Sequence, residues 1–387
     1  VGHNTVRRDV MGTANRPATP DEIAQMKALV HKAMQEGAVG FSTGLIYIPG
    51  TYSNSDEVVD LAKAAAAYQG VYASHMRDEG AQIIDAINEA ARVGQEAGMP
   101  VQLSHFKIDT PRLWGMSEQT LALVEDYRRK GVDVVVDQYP YDHSSTNLGI
   151  TLPSWALADG PDAVRERLTT PETRQKIAAE MERRLLDLGH KDYSYAIVAT
   201  YRPNREYEGK NIAEINTLRG KESTVANQID TILEMMLAGG AQMIYHSMGD
   251  VDVLRIMRYP NTAFASDGGI RIFGEGMLHP RAYGTNARVL AEYVRKRNVL
   301  TLEDAVRRMT SLPARTFGFQ DRGIIRAGAA ADLLIFDPAR VQDKSTYTQP
   351  HQYTEGFDYV LVNGVVMVDD GKLTESRGGK VLRHEVH

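Results

Sequence analysis

Two hydrophobic patterns alternate along the first third of the chain. Short runs rich in Val and Ala, such as "VYASH" and "VDVVVDQ", are separated by longer segments whose apolar residues recur at helical spacing. Strands that are apolar on both faces are typical of parallel sheets covered by helices. The pattern therefore predicts repeated strand–helix units of about thirty residues, arranged as a closed barrel or as an open doubly wound sheet.

The individual elements of this part follow from capping and turn residues. Thr19 and Glu22 have the spacing of a capping box, and the helix they begin is predicted to end at Gly37. The sequence then predicts a strand at "AVGFS", a helix near 55–68, a strand at 71–74, a helix at 81–97, a strand at 100–104, a helix near 117–129 and a strand at 132–138.

The regular alternation lapses between about residues 140 and 240, where charged helical segments surround one predicted strand, "SYAIVAT". We interpret this part as a long insertion on the parallel sheet. Parallel strands are predicted to resume at "AQMIYHS" and "NTAFASDGG", and two helices follow near 286–297 and 302–318. Beyond about residue 320 the signals "VNG" and "DDG" predict hairpins in a small antiparallel module.

Composition and charge exclude several classes of protein. The hydrophobic content of 43% and charged content of 24% are typical of a soluble globular protein. The net charge of −6, with both signs interspersed, favours neither a nucleic-acid partner nor an anionic membrane. The chain has no cysteine, which excludes disulfides and thiolate chemistry within it. The sequence does not indicate a compartment, although we favour the cytoplasm.

Three side chains that can bind or assist a metal ion are placed at the ends of predicted parallel strands. They are His75, His105 and Asp267. The carboxyl ends of such strands form the active-site face of a barrel. Imidazole suits Zn²⁺, and a carboxylate can bind the ion or act as a base. Each residue also has an ordinary explanation, because a single histidine is usually structural and Asp before Gly-Gly is common in turns.

Two cations and one phenol are placed near the same face. Lys107 and Arg281 would suit a substrate carboxylate, and Tyr139 follows a strand end from which it could donate a hydrogen bond. Taken singly, the two cations are equally typical of solvated surface charges, and Tyr139 of an aromatic lining residue. We interpret His246 and His279 as structural.

In their order along the chain, these stretches resemble one known family. The chain resembles the N-acyl-D-amino-acid deacylases, or D-aminoacylases, of the amidohydrolase superfamily. The stretches that carry the resemblance are "VGHNTVR", "GFSTGLIYIPG", "SHMRDEG", "QLSHFK", "DQYPY", "ASDGG" and "HPRAYGT". The resemblance covers nearly the whole chain. It implies an α/β fold, with a TIM-like (β/α) barrel of the metal-dependent amidohydrolase type beside a small β-sandwich. It also implies zinc-dependent hydrolysis of N-acyl-D-amino acids to a carboxylate and a free D-amino acid.

The resemblance also implies roles for particular residues. It makes His75 and His105 zinc ligands and Asp267 the general base that acts on the attacking water. The residues that it places around the substrate and its carboxylate are Lys107, Tyr139, Arg281 and Ser145.

The sequence departs from the family pattern at its beginning. The family has a His-x-His pair at the end of the first barrel strand and a cysteine ligand soon after, and neither is present. We therefore expect an N-terminally truncated deacylase, with a partial barrel at residues 1–320, an insertion at about 140–240, and the C-terminal part of a small β-sandwich at 321–387. Metal ligands would be missing from such a chain, so its own activity is a separate question from the activity of the family.

Two alternatives to this activity stay open. The first is another amidohydrolase, of the dihydroorotase or hydantoinase type, that opens cyclic amides. The second is a non-catalytic fragment, or a subunit completed by another chain. The expected partner is a small N-acyl-D-amino acid, together with a possible oligomer or a completing N-terminal segment, and neither nucleic acid nor a membrane is expected.

Overall fold

The computed structural model describes residues 1–384. The last three residues of the predicted C-terminal module, 385–387, lie outside the described part. Within that part, none of the helices has the length and apolar character needed to cross a bilayer.

The first part of the chain alternates helices and parallel strands. Its elements are α1 (His3–Met11), α2 (Pro20–Gln35), β1 (Gly40–Gly44), α3 (Ser55–Ala66), β2 (Val71–His75), α4 (Ile83–Ala97), β3 (Val101–Leu103), α5 (Ser117–Arg129) and β4 (Val134–Gln138). The predicted capping box at the start of α2 is confirmed, since Thr19 and Glu22 each accept a hydrogen bond from the backbone N–H of the other.

The middle of the chain carries an antiparallel sheet and most of its own helices. Its elements are β5 (His143–Asn147), α6 (Pro161–Thr169), α7 (Pro171–Asp187), β6 (Ala196–Thr200), α8 (Ile212–Leu218), α9 (Val225–Leu237) and β7 (Gln242–His246). The predicted strand "SYAIVAT" is confirmed as β6. These elements enclose a hydrophobic core of their own.

The remaining elements return to the parallel sheet and then form a small separate sheet. They are α10 (Asp250–Arg258), β8 (Thr262–Phe264), α11 (Arg281–Arg288) with its π-helical continuation (Val289–Lys296), α12 (Leu302–Met309), α13 (Ser311–Thr316), β9 (Leu333–Phe336), β10 (Phe357–Val362), β11 (Val365–Asp369) and β12 (Lys372–Leu373).

The five parallel strands lie in the sheet order β1–β2–β3–β4–β8. The order does not reverse, and helices α2 to α5 pack against one another in succession. An open doubly wound sheet reverses its strand order at a switch point and has helices on both faces. The arrangement is therefore an arc of a (β/α) barrel, and the α/β barrel class expected from the sequence is confirmed.

Two parallel strands were predicted after the insertion. The second is confirmed as β8, whereas the assignment of the first, "AQMIYHS", to the parallel sheet is wrong. Its residues form β7, the central strand of the antiparallel sheet β5–β7–β6. Met243, Ile244 and Tyr245 are buried because β7 has a neighbour on each side and packs into the second core. A short apolar run of this kind has the same pattern in parallel and antiparallel sheets.

The C-terminal sheet has the antiparallel order β12–β11–β10–β9. Asn363-Gly364 joins β10 to β11 and Asp370-Gly371 joins β11 to β12, with positive φ at all four residues. Two-residue hairpins of this kind require positive φ at both positions. Both predicted hairpins are confirmed, whereas the division of the chain into domains stays a prediction.

A buried ion cluster joins the first helix to the barrel helices. Glu57 of α3 accepts hydrogen bonds from His3 Nε2 at 2.8 Å and from the guanidinium of Arg7. Arg7 also donates to the carbonyl of Arg16 at 2.6 Å. His3 and Arg7 are both fully buried. Because no water reaches this cluster, the Glu57 carboxylate compensates the charge of Arg7.

We expect Glu57→Ala to lower the free energy of unfolding by about 3–5 kcal/mol, because it leaves the buried guanidinium of Arg7 without its counter-charge. Urea denaturation followed by circular dichroism measures this loss. Asp60→Ala is the matched control, since Asp60 lies on the same helix and faces Lys27 at 3.6 Å on the surface. Equal losses in the two variants would contradict a stabilising role for the cluster.

Candidate active site

A cavity of about 380 Å³ opens at the carboxyl ends of the parallel strands. Register brings these ends together, since Leu103 of β3 pairs with Ser74 of β2 and with Val136 of β4. Every site residue selected from the sequence lines this one cavity: His75, His105, Lys107, Tyr139, Ser145, Asp267 and Arg281. The structure therefore brings all seven together, while their individual roles stay predictions.

His75 and His105 face each other across the mouth of the arc. His75 is the last residue of β2, and its Nδ1 lies 2.7 Å from Nε2 of His105. The backbone N–H of His105 donates to Asp137 Oδ1 at 2.7 Å, and Asp137 Oδ2 accepts from Gln102 at 2.6 Å. The carboxylate of Asp137, on β4, thus fixes the backbone that carries His105.

The position of His105 differs in detail from the prediction. Strand β3 ends at Leu103, so His105 and Lys107 lie in the loop that follows and not in the strand. His105 has a φ of 38°, in the left-handed region that non-glycine residues seldom adopt. Lys107 nevertheless reaches the same side as His105, and its Nζ lies 2.8 Å from His105 Nδ1.

Glu79 is a site residue that the sequence analysis missed. Its Oε1 lies 3.0 Å from His105 Nδ1 and accepts from Lys107 at 2.6 Å, and its Oε2 lies 4.0 Å from His75 Nε2. Glu79 follows the strand in a loop without regular structure. The one signal in the sequence was its spacing, since it comes four residues after His75 in "SHMRDEG".

Burial and charge fix the protonation of this cluster. Burial lowers the pKa of His75 to about 3, so its imidazole is neutral and can donate a lone pair. Burial by itself would raise the pKa of Glu79, but the positive charges beside it, above all that of Lys107, hold this pKa well below its usual range. Glu79 is therefore an ionised carboxylate at neutral pH.

His75, Glu79 and His105 fit a metal ion. One donor atom from each lies within 4.8 Å of the other two. His75 Nε2 is buried and has no hydrogen-bond partner in the part of the chain that the structure describes. Two imidazole nitrogens around one zinc ion are about 3.3 Å apart, so a small ring rotation separates the two histidines enough to admit it. Two imidazoles with a carboxylate are also a donor set that zinc accepts.

Asp267 and Arg281 form an ion pair on the opposite wall. Asp267 follows β8 with a φ of 48°, and its Oδ2 lies 3.0 Å from the guanidinium of Arg281. The Asp267 side chain is 41% exposed, whereas that of Arg281 is 7% exposed. Arg281 lies over the ring of Tyr139 at 4.6 Å, and its Nη1 has no acceptor among the described residues. This buried guanidinium can therefore take an anion from the cavity.

Tyr139 and Ser145 complete that wall. Burial raises the pKa of Tyr139 far above its ordinary value, so the phenol stays a neutral hydrogen-bond donor. Ser145 lies in β5, which the sequence analysis did not predict as a strand. Its hydroxyl donates to the carbonyl of Met243 at 2.8 Å, while its own carbonyl accepts from Arg281 at 3.2 Å. Ser145 thus supports Arg281 through its backbone and keeps hydroxyl lone pairs for a ligand.

The far end of the cavity is built by the middle part of the chain. Met181 and Leu185 of α7 reach it from one side, and Tyr195 and Tyr245 from the other. All four are buried or largely buried. The cavity thus has one end with the metal-binding trio and another end at which apolar and aromatic side chains lie beside Arg184 and His190.

Comparison with known proteins agrees with this arrangement. The model of the Amidohydrolase family matches residues 1–368. D-aminoacylase from Alcaligenes xylosoxydans xylosoxydans is 35% identical over 382 residues, which are 99% of this chain and 69% of that protein.

Solved structures agree as well. A crystal structure of D-aminoacylase matches with a TM-score of 0.81 and 34% identity, over 99% of this chain and 71% of that one. N-acyl-D-glutamate deacylase from Bordetella bronchiseptica, solved with zinc and a phosphonate inhibitor, matches with a TM-score of 0.78 and 34% identity, over 99% of this chain and 70% of the other. With an active-site face of the expected kind and similarity along nearly its whole length, the chain belongs to the amidohydrolase family.

Proposed function

We propose that this chain carries the active site of a zinc-dependent N-acyl-D-amino-acid deacylase, which hydrolyses the N-acyl amide bond to a carboxylate and a free D-amino acid. One cavity carries the proposal. His75, Glu79 and His105, the metal-binding trio, lie on one wall, and the ion pair of Asp267 and Arg281 lies on the other. The relatives named D-aminoacylase and N-acyl-D-glutamate deacylase support this reaction class.

His75, His105 and Glu79 are the residues that would hold zinc. When bound, zinc supplies Lewis-acid activation of the amide carbonyl and of water. Lys107 has three N–H donors and directs one of them to Glu79. It therefore neutralises the carboxylate beneath the histidines and keeps a donor for the substrate.

Asp267 is the proton carrier in this proposal. Its carboxylate is half-exposed at the rim, so a water can reach it, and it forms an ion pair with Arg281. It takes a proton from the water that attacks the amide carbonyl. It then returns this proton to the leaving nitrogen, because the amine leaves only when protonated.

Arg281 and Tyr139 bind the free carboxylate of the substrate. Nη1 of the guanidinium has no hydrogen-bond acceptor among the described residues, and the phenol of Tyr139 is neutral. Both groups can therefore donate a hydrogen bond to the substrate carboxylate. Ser145 lies beside them. A carboxylate at this wall places the adjacent amide between Asp267 and the metal-binding trio.

The metal role of the trio is tested by Glu79→Gln. We expect this variant to bind zinc about 10–100-fold more weakly, because the carboxylate charge that attracts the ion and orients His105 is lost. Competition against a chelator of known affinity measures the change without any turnover. Glu96→Gln, on the exposed face of α4, is the control. Unchanged zinc affinity in Glu79→Gln would place the ion elsewhere, and a chain that binds no zinc at all would favour a non-catalytic fragment.

The proton-transfer role predicts a large kinetic effect at Asp267. Asp267→Asn keeps the size of the side chain but cannot accept a proton. We expect kcat of the zinc-loaded enzyme to fall by about 10²–10⁴-fold. Zinc content, measured on the same samples, should stay unchanged, which separates loss of the base from loss of metal. Near-normal turnover in the Asn variant would rule out the role.

Carboxylate recognition is tested by Arg281→Met, which keeps an apolar chain over Tyr139. A charge-assisted hydrogen bond contributes about 1.5–3 kcal/mol. We therefore expect an N-acyl amine without the carboxylate to be a far poorer substrate of the unchanged enzyme than the N-acyl-D-amino acid. In Arg281→Met this ratio of kcat/KM values should shrink, since both substrates then lack the contact.

The ratio is the informative quantity, because Arg281 also pairs with Asp267 and its loss affects both substrates. An unchanged ratio would mean that Arg281 has only a structural role. A dihydropyrimidine or hydantoin ring, assayed in parallel, distinguishes the cyclic-amide alternative: turnover of the ring in preference to the linear substrate would favour that activity.

A further inference from the structure

One side of helix α7 lines the cavity. The lining residues of this helix and of its C-terminal cap are Met181, Arg184, Leu185 and Leu188. Residues separated by three, four or seven positions lie on the same side of a helix. Three of these four side chains are apolar, so Arg184 brings the one charge that this side of α7 presents to the cavity.

The guanidinium of Arg184 differs from the other cations of the cavity in its partners. Lys107 is paired with Glu79 at 2.6 Å, and Arg281 is paired with Asp267 at 3.0 Å. Arg184 has neither an ion-pair partner nor a side-chain hydrogen-bond partner in the part of the chain that the structure describes, although it lines the same cavity. Its charge is therefore available to a ligand.

Two further carboxylates line the cavity, and both are engaged locally. Asp78 Oδ1 accepts from the backbone N–H of Gly80 at 2.8 Å, and Asp109 Oδ1 accepts from the hydroxyl of Thr110 at 3.0 Å. Among the described residues, neither carboxylate forms an ion pair with Arg184. A ligand anion that approaches this guanidinium therefore has no carboxylate of the protein to displace.

Two aromatic side chains provide hydrogen-bond donors beside Arg184. Tyr195 and His190 line the cavity as a stacked pair, with ring centroids 3.6 Å apart and 10° between the planes. Burial raises the pKa of Tyr195, so the phenol is neutral, and the positive charge of Arg184 is the largest effect in the opposite direction. Burial lowers the pKa of His190 to about 4, so its neutral ring keeps one N–H. The phenol of Tyr195 has no hydrogen-bond partner among the described residues.

We propose that Arg184, together with Tyr195 and His190, binds a second anionic group of the substrate, so that the preferred substrates carry two carboxylates. This inference rests on the proposed function, in which Arg281 and Tyr139 bind the carboxylate next to the amide. The second carboxylate belongs either to the side chain of the D-amino acid or to the acyl group, and both present the same chemistry to the guanidinium. Arg184 is then a specificity-determining residue, because only a charged group gains a charge-assisted hydrogen bond from it.

The neighbouring Arg183 provides a matched control. Both arginines lie in the last turn of α7, where a cation is favourable at the end of the helix. Both are exposed, but Arg183 does not line the cavity. Arg183→Met therefore removes the same charge from the same turn, whereas Arg184→Met removes it from the cavity as well.

Binding to the metal-free protein tests the proposal without turnover, with isothermal calorimetry as the readout. N-acetyl-D-glutamate is compared with N-acetyl-D-glutamine for a carboxylate on the side chain, and N-succinyl-D-alanine with its terminal amide for a carboxylate on the acyl group. We expect the unchanged protein and Arg183→Met to bind the charged member of one pair about 5-fold or more tightly than the neutral member. Arg184→Met should lose this preference, and the pair that responds identifies the source of the second carboxylate.

An equal preference in the unchanged protein and in Arg184→Met would overturn the proposal. So would the absence of a preference in both pairs, the absence of binding by all four compounds, or an equal loss in Arg183→Met, which would reflect only the overall charge. Hydrolysis by the zinc-loaded enzyme is measured separately. Hydrolysis of N-acetyl-D-alanine without any charge preference in binding would retain the proposed function and overturn the role of Arg184. Charge-selective binding without hydrolysis of any compound would overturn the function and leave the anion-binding role of Arg184.

Discussion

The buried carboxylate of Glu79 is the interaction on which the active-site face depends. It is 5% exposed, and an isolated ionised carboxylate at such a depth would be costly. Lys107 compensates its charge and His105 approaches it from the same side. These contacts hold the loops that follow β2 and β3 against each other. The second oxygen of the same carboxylate lies 4.0 Å from His75 Nε2, so the residue that orders the loops also offers a ligand atom beside the imidazoles.

The backbone around this carboxylate adopts conformations that side chains other than Gly seldom take. His105 and Asp267 both have positive φ, the first just after β3 and the second just after β8. Each conformation turns the chain at the end of a strand, so that the side chain is directed into the cavity. Such strain persists only where the surroundings impose it, and it is concentrated at functional sites. At His105 the surroundings are explicit, because Asp137 binds the backbone N–H of this residue.

The sequence predicted the parts of the site that depend on regular structure. His75 ends β2, and the parallel register of β2 with β3 places the end of β3 beside it. The approach of His105, which follows β3 closely in the sequence, could therefore be predicted from its position after that strand. Glu79 was missed because its position is set by a loop, and no periodicity extends through a loop. β7 was assigned to the wrong sheet, since the pattern of burial in a strand records how deep it lies and not which strands it pairs with. Lys107 was predicted on the same side as His105 from the alternation of side chains in a strand. It does lie on that side, although both residues belong to a loop.

β7 also explains how one short strand can take part in two different surfaces. Its alternation directs Tyr245 into the cavity and His246 to the opposite face of the sheet. In the neighbouring strand β5, Ser144 and Thr146 line the cavity beside Tyr245, while the backbone carbonyl of Ser145 accepts from Arg281. The ladder between β5 and β7 therefore joins the strand that supports Arg281 to the strand that directs Tyr245 into the cavity.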